Sequence, residues 1–239
     1  PKKKTSLFTT QSGKDGHSKL RLSMEPAAMN SATGHSSRGA AMCANQKWGL
    51  LYIDEWIHYH LALGFQKIFL YDNSKGFELG EWNMNRNYSK SQLEIVHFPG
   101  EAKQMKAYAD CARKIRKEES HSWIAFFDID EFLLIKDAER YPTIMDLLDT
   151  VPGDVDALSF NWGSIYMNNQ TSYRPKPVTL RFRRKREKAM NKHVKTMVRS
   201  DRLKDENTYF IHEIADYLRR QDTGGNVLHG AVNERLPDG

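Results

Sequence analysis

The chain has 239 residues, 39% hydrophobic and 28% charged, with 11% aromatic residues and a formal net charge of +6. That is enough to bury one large core, and too apolar and aromatic-rich for a disordered polypeptide. No run of 18 apolar residues occurs, and Pro1-Lys-Lys-Lys leads into Ser, Thr and Gly, so neither a membrane span nor a signal peptide is expected within this stretch.

Any membrane attachment is therefore expected through an anchor that this stretch does not contain. Pro1 in place of Met and the ending Pro237-Asp-Gly are compatible with a fragment or a processed form. Between Arg174 and Lys204, thirteen Lys/Arg stand against two acids, Glu187 and Asp201, whereas acids outnumber bases in the rest of the chain. A locally basic segment on a mildly acidic body points to an anionic ligand near it. Two cysteines, Cys43 and Cys111, are too few for a disulfide framework or a zinc site. They are expected to be small buried apolar side chains, which leaves the redox compartment open.

In chain order, residues 1–40 read as a Ser/Gly/Lys-rich flexible tail. Ala40–Gln46 reads as a short strand. Leu50–Leu63 puts Leu50, Ile53, Trp56, Ile57, Leu61 and Leu63 largely on one helix face, closed by Gly64. Lys67–Tyr71 is a buried strand ending in the turn signal Asp72-Asn-Ser, and Leu93–Phe98 is a strand closed by Pro99-Gly100. Glu101–Glu119 reads as a helix with acid at its start and bases toward its end.

Trp123–Phe127 is the most apolar strand. A helix over Thr143–Thr150 and a strand over Ala157–Trp162 follow, then strands over Val178–Arg183, Val194–Arg199 and Thr208–His212. Strands alternating with helices predict an α/β fold with a mostly parallel sheet flanked by helices, and a basic, strand- and loop-rich C-terminal part. In such folds ligands bind at the carboxyl ends of the strands.

The sharpest chemical signal is Asp128-Ile-Asp130-Glu131, directly after that apolar strand. Alternation places Asp128 and Asp130 on one side with Ile129 toward the core. Two such carboxylates are hard ligands for Mg²⁺ or Mn²⁺, which in turn bridges a diphosphate. The alternative is a solvated acidic turn, disfavoured because acids abutting buried strand are costly unless paired or metal-bound. Asp72 and Asn73, at the end of another strand, are placed to meet a ribose or base, although Asp-Asn-Ser is also ordinary turn chemistry. His212 is the preferred imidazole for the same metal, with His229 its competitor. Arg181–Lys188 reads as half-solvated surface, while Lys195 and Arg199, on one side of a strand, are the better phosphate candidates. Asn87-Tyr-Ser89 and Asn169-Gln-Thr171 fit the N-glycosylation acceptor pattern, which matters only in a secretory compartment.

The block from Tyr52 to Ser74 resembles the opening block of glycosyltransferase family 92 and its family 2-like relatives. The likeness continues through Gln104 and Cys111, Trp123–Phe132, Phe160-Asn-Trp162-Gly163 and His193-Val-Lys195 to His212. It implies a single GT-A-type domain over 41–239 and a metal-dependent transferase moving a sugar, a hexose such as galactose, from a nucleotide-diphosphate donor to a glycan or other hydroxyl acceptor with inversion. Under it, Asp128 faces ribose and metal, Asp130 coordinates Mn²⁺ or Mg²⁺, and His212 completes the metal site. Asp72 and Asn73 lie near the nucleoside; Gln104, Trp162, Lys195 and Arg199 line the sugar or phosphate site.

Inversion needs a carboxylate base, for which Glu213 is the positional choice. The resemblance also implies a Golgi or other secretory-pathway, lumenal setting. One departure stands out: where the family has an Asn-Glu or Asp-Glu pair, this chain has Trp48 and Gly49, which allows a degenerate nucleotide-sugar or anion binder without turnover. A haloacid-dehalogenase-type phosphohydrolase also opens on Asp-x-Asp, but Glu131-Phe132 replaces the Thr or Val expected there. No nucleic-acid partner is expected, since no zinc spacing, helix-turn-helix or aromatic-basic signature occurs.

Overall fold

A computed structural model describes residues 39–47, 50–163, 165, 172, 175–182, 194–203, 209–210 and 213–228, with the backbone path alone at 209–210 and 213–214. All of them lie in one compact unit, residues 37–239. Most of the 1–40 tail, Trp48, Gly49, Asn169, His212, His229 and residues 183–193 of the basic run lie outside the described residues.

The elements in order are β1 (Ala40–Gln46), α1 (Leu50–Ala62), β2 (Phe65–Asp72), α2 (Glu78–Asn83), β3 (Leu93–His97), α3 (Gln104–Glu118), β4 (Trp123–Phe126), α4 (Ile144–Leu148), β5 (Ala157–Asn161), α5 (Val178–Arg181), β6 (Val194–Arg199), β7 (Tyr209–Phe210), β8 (Glu213–Ile214), β9 (Arg220–Asp222) and β10 (Val227–Leu228). A 3₁₀ turn, Ser200–Arg202, follows β6. Eight strands form one sheet in the order β10-β9-β5-β6-β4-β1-β2-β3, and β7 pairs with β8 separately. The run β3-β2-β1-β4 is parallel throughout. β6 is antiparallel to both β4 and β5, β9 is parallel to β5, and β10 is antiparallel to β9. The α/β, mostly parallel architecture is thus the one the alternating elements imply.

Period-two alternation splits the core into two layers. Met42, Ala44, Ile68, Leu70, Trp123 and Ala125 pack with Ile53, Trp56 and Ile57 of α1 and with Ile144 and Leu148 of α4. Ala41, Cys43, Phe69, Tyr71, Ile124 and Phe126 face Ala107, Tyr108, Cys111, Ala112 and Ile115 of α3. Gly64 ends the first helix at φ 101°, where an added Cβ would lie 2.9 Å from Thr143 Cβ, so a side chain is excluded twice.

Four expectations are corrected. The third helix starts at Gln104, without an acid in its first turn, because Gly100 and Ala102 both take positive φ and break the helix across Glu101. Val178–Arg181 is one helical turn rather than strand: it follows Pro177, and the Glu55 carboxylate accepts from Val178 N at 2.6 Å and Thr179 N at 3.1 Å. Arg181 in that turn is 8% exposed, beside the Tyr52 and Phe182 rings, and not solvated surface. Cys43 and Cys111 are fully buried, as expected of them, but they form a disulfide joining β1 to α3. The expected strand over Thr208–His212 is described only at Tyr209–Phe210.

Candidate functional site

From β1 the sheet extends through β2 and β3 in one direction and through β4 in the other. The crevice past the carboxyl ends of β1 and β4 is therefore the topological switch point, where such sheets bind ligands. Parallel and antiparallel pairings bring the ends of β2 and β5 and the start of β6 to the same edge.

β4 stops at Phe126 and the acids follow in a turn. Glu131 N donates to Asp128 O at 3.0 Å, and Asp128 N donates to Glu131 Oε2 at 2.9 Å. Asp130, at the tip, is exposed, while Ile129 packs against the core. Helix α1 holds this loop from below. Trp56 Nε1 donates to Glu131 O at 2.8 Å, Tyr59 OH donates to Leu133 O at 2.8 Å, and Leu133 N donates to His60 Nε2 at 3.4 Å.

Asp128 joins both layers. Its Oδ1 accepts from Gln104 Nε2 at 2.6 Å and Tyr108 OH at 3.2 Å, and its Oδ2 accepts from Lys195 Nζ at 2.9 Å. Lys195 Nζ also lies 3.1 Å from Glu131 Oε2, with side-chain exposures of 6% for Lys195 and 9% for Glu131. Burial pushes the Glu131 carboxyl up to about 7, against the opposing pull of Lys195. Burial and the neighbouring Asp128 charge raise Tyr108 well above the usual phenol range. Glu131 Oε1 is buried with no hydrogen-bond partner.

Of the expected site residues, the structure brings together Gln104, Asp128 and Lys195, with Asp130 beside them. Trp162, 37% exposed, follows β5 at the same edge. Asp72 is fully buried at the end of β2, with Oδ1 accepting from Ser74 N and Oδ2 from Leu79 N, each at 2.8 Å. Asn73 donates to Phe98 O and Gly100 O, so this pair holds the turns after β2 and β3. Next to Asp72 in register, Gln46 is 1% exposed with both amide atoms lacking a partner.

Arg199 is set apart from the cluster. It pairs with Trp123 at the opposite end of β4, donates to Val155 O and Val151 O, and lies 4.4 Å from the Trp123 ring centroid. The Glu213 side chain and His212 lie outside the described residues.

Sequence reasoning passed over Glu131 and Tyr108. The i, i+4 spacing of Gln104 and Tyr108 puts both on one helix face toward Asp128. Glu131 directly follows the Asp-x-Asp, but only the turn shows that its carboxylate folds back onto the Asp128 amide. Asp128 and Asp130 suit a hard divalent ion, Asp130 being open to solvent and both offering only oxygen. Among the described residues no group of three His, Cys, Asp or Glu gathers, a number such an ion does not require when substrate phosphates and water complete its shell.

The Glycosyltransferase family 92 model matches residues 40–230. Similar proteins include glycosyltransferase family 92 proteins of rice (Oryza sativa subsp. japonica), 34% identical over 99 residues, of Ricinus communis, 32% over 84, and of Arabidopsis thaliana, 33% over 84. These alignments cover 41%, 35% and 34% of this chain and 16%, 14% and 14% of the respective relatives, so the matched stretch spans less than a fifth of each relative's length. With a match that takes in the whole described sheet and the turn bearing Asp128 and Asp130, the chain belongs to glycosyltransferase family 92.

Proposed function

We propose that the protein is a glycosyltransferase that moves a sugar, a hexose such as galactose, from a nucleoside-diphosphate donor to a hydroxyl of a glycan or similar acceptor, with inversion at the anomeric carbon. The observation that carries this reading is the Lys195 ammonium held between Asp128 and Glu131 at the crevice edge of a family 92 sheet. As the bond from the anomeric carbon to the diphosphate breaks, negative charge grows on the leaving oxygens. Lys195, already oriented by its two carboxylate contacts, has a third N–H to donate to those oxygens without reorganising at the moment of reaction.

Gln104 and Tyr108 hold Asp128 from the other side, which limits how far Lys195 can be drawn away. Trp162 offers a ring at the same edge for a sugar to pack on. The acceptor hydroxyl must lose a proton as it attacks, and Glu213 is the positional choice for that base. Mn²⁺ or Mg²⁺ is the proposed cofactor, held by Asp128 and Asp130 with His212, and when bound it supplies further neutralisation of the diphosphate.

A lumenal, secretory-pathway setting is part of the proposal. The buried Cys43–Cys111 disulfide supports it, since such bonds persist in oxidising compartments. No helix among the described residues is long and apolar enough to cross a membrane, so membrane attachment would come from an anchor elsewhere. The second reading, a nucleotide-sugar binder without turnover, is favoured by Trp48 and Gly49 standing where the family resemblance implies an acid pair.

The test is calorimetric titration of UDP and GDP with Mn²⁺ and then with EDTA, followed by transfer assays from the nucleotide sugar that binds. Binding that needs the metal, with transfer abolished in a normally folded Asp130→Ala variant, is the expected result. Metal-dependent binding with no transfer to any acceptor favours the second reading. A fully active Asp130→Ala variant overturns the role of Asp130 in a metal-dependent transfer, and no nucleotide binding in either condition overturns the enzyme reading.

A further inference from the structure

We infer that Asn87 is an N-glycosylation site, carrying an oligosaccharide on the loop between α2 and β3. The inference rests on the lumenal setting proposed above. Asn87-Tyr-Ser89 has the acceptor spacing, with a middle residue other than Pro.

A chance triplet inside a strand or under a helix could not carry a glycan in the folded protein, and this one is placed otherwise. Asn87 and Ser89 are both exposed and outside regular structure. The residues flanking Asn87 are fastened inward. Arg86 Nη2 pairs with Asp54 at 2.8 Å, and Arg86 Nη1 donates to Trp82 O at 3.0 Å. Tyr88 stacks on the Trp82 ring and its hydroxyl donates to Asp54 at 3.2 Å. With Arg86 and Tyr88 both tied down against α1 and Trp82, the backbone between them is pinned and Asn87 is left on the solvent side. The loop leads back to the start of β3, away from the edge that carries Asp128, so a glycan here leaves the crevice open.

The transfer balances without oxidant or reductant. The Asn87 amide nitrogen bonds to the anomeric carbon of a polyprenyl-diphosphate-linked oligosaccharide, the carbon–oxygen bond to the diphosphate breaks, the amide gives up one proton, and the lipid diphosphate leaves. Ser89 supplies the hydroxyl that the acceptor pattern requires two residues on.

The test is secretion of the full chain from eukaryotic cells behind a cleavable signal, then peptide mass spectrometry with and without an amidase that converts glycosylated Asn to Asp. In an Asn169→Gln background, the wild-type loop should show Asn87 converted and one glycoform band lost on digestion. Ser89→Ala should abolish that band, and Ser89→Thr should keep it. Thiol alkylation of the same sample reports Cys43 and Cys111 separately. An unmodified Asn87 peptide in a secreted chain whose disulfide has formed overturns the inference while the lumenal reading stands. A glycosylated Asn87 beside free thiols upholds the site and removes the disulfide's support for that reading.

Discussion

Lys195 buries all but 6% of its side chain between Asp128, 31% exposed, and Glu131, 9% exposed. Pairs of this kind contribute little net stability when formed, because desolvation offsets attraction, yet removing one partner leaves the other charge buried and costs about 3–5 kcal/mol. Lys195→Met should therefore lower the unfolding free energy by about 3 kcal/mol, the lower end because Asp128 keeps some water. Adding Glu131→Gln should recover part of that loss, since an amide avoids the cost of holding the buried Glu131 carboxyl protonated, or of ionising it without its cation. Urea denaturation of the two single variants and the double variant measures this coupling. Strict additivity would mean that the 3.1 Å contact contributes nothing. Under the proposed function, transfer activity should fall in all three, because each disturbs the cation proposed to face the diphosphate.

At the level of elements, α1 is both a core helix and the cradle of the loop that bears Asp128 and Asp130. Its apolar stripe was readable from spacing, whereas the hydrogen bonds of Trp56, Tyr59 and His60 to residues 131–133 join segments more than seventy positions apart and leave no local signal. His60 Nδ1 lies 2.9 Å from Trp56 O and Nε2 accepts from Leu133 N, so the ring is neutral with its proton on Nδ1. Burial lowers its pKa to about 4, and burial with the nearby Lys67 charge does the same to His121. Both rings take up protons in the unfolded chain below about 6.5 but in the folded one only near 4. The share of stability that these rings supply is thus full above about pH 7 and falls as pH drops from about 6.5 toward 4, by at most about 3 kcal/mol per ring, while the Glu131 carboxyl, raised to about 7, partly offsets that slope. Unfolding free energies across that window should show the decline. His60→Gln, which accepts a hydrogen bond without charging, should remove roughly half of the histidine share of the slope. An unchanged slope would place the proton uptake elsewhere.

Across the whole molecule, alternation and periodicity gave the main strands and helices from β1 to β6, but not the short α2, α5, β8, β9 and β10; Asp128 could be nominated from the strand end it follows, Lys195 from its place along a strand, and Gln104 only from the family resemblance. Apart from the start of α3, set locally by the positive φ of Gly100 and Ala102, the places where the reading failed share a cause in long-range contact. The turn at Val178 is stabilised by Glu55, 123 residues away, and Arg199 turns out to serve the far end of β4. The cysteines carry the same lesson. Their spacing says nothing, but β1 and α3 pack face to face, and this brings Cys43 and Cys111 within 6.2 Å at Cα. A bond closing a loop of 68 positions restricts the unfolded chain strongly, worth about 4 kcal/mol in the chain-entropy model. It also fixes the helix whose first residue, Gln104, holds Asp128. The variant Cys43→Ala/Cys111→Ala should therefore unfold at markedly lower urea concentration, with most of that loss reproduced by reducing the wild type under denaturing conditions before refolding. Nucleotide affinity should weaken by less than stability, because the packing of Tyr108, Ala112 and Ile115 on β1 and β2 remains. A double variant as stable as the wild type would mean that the apolar contact of α3 with the sheet alone sets the strength of this face.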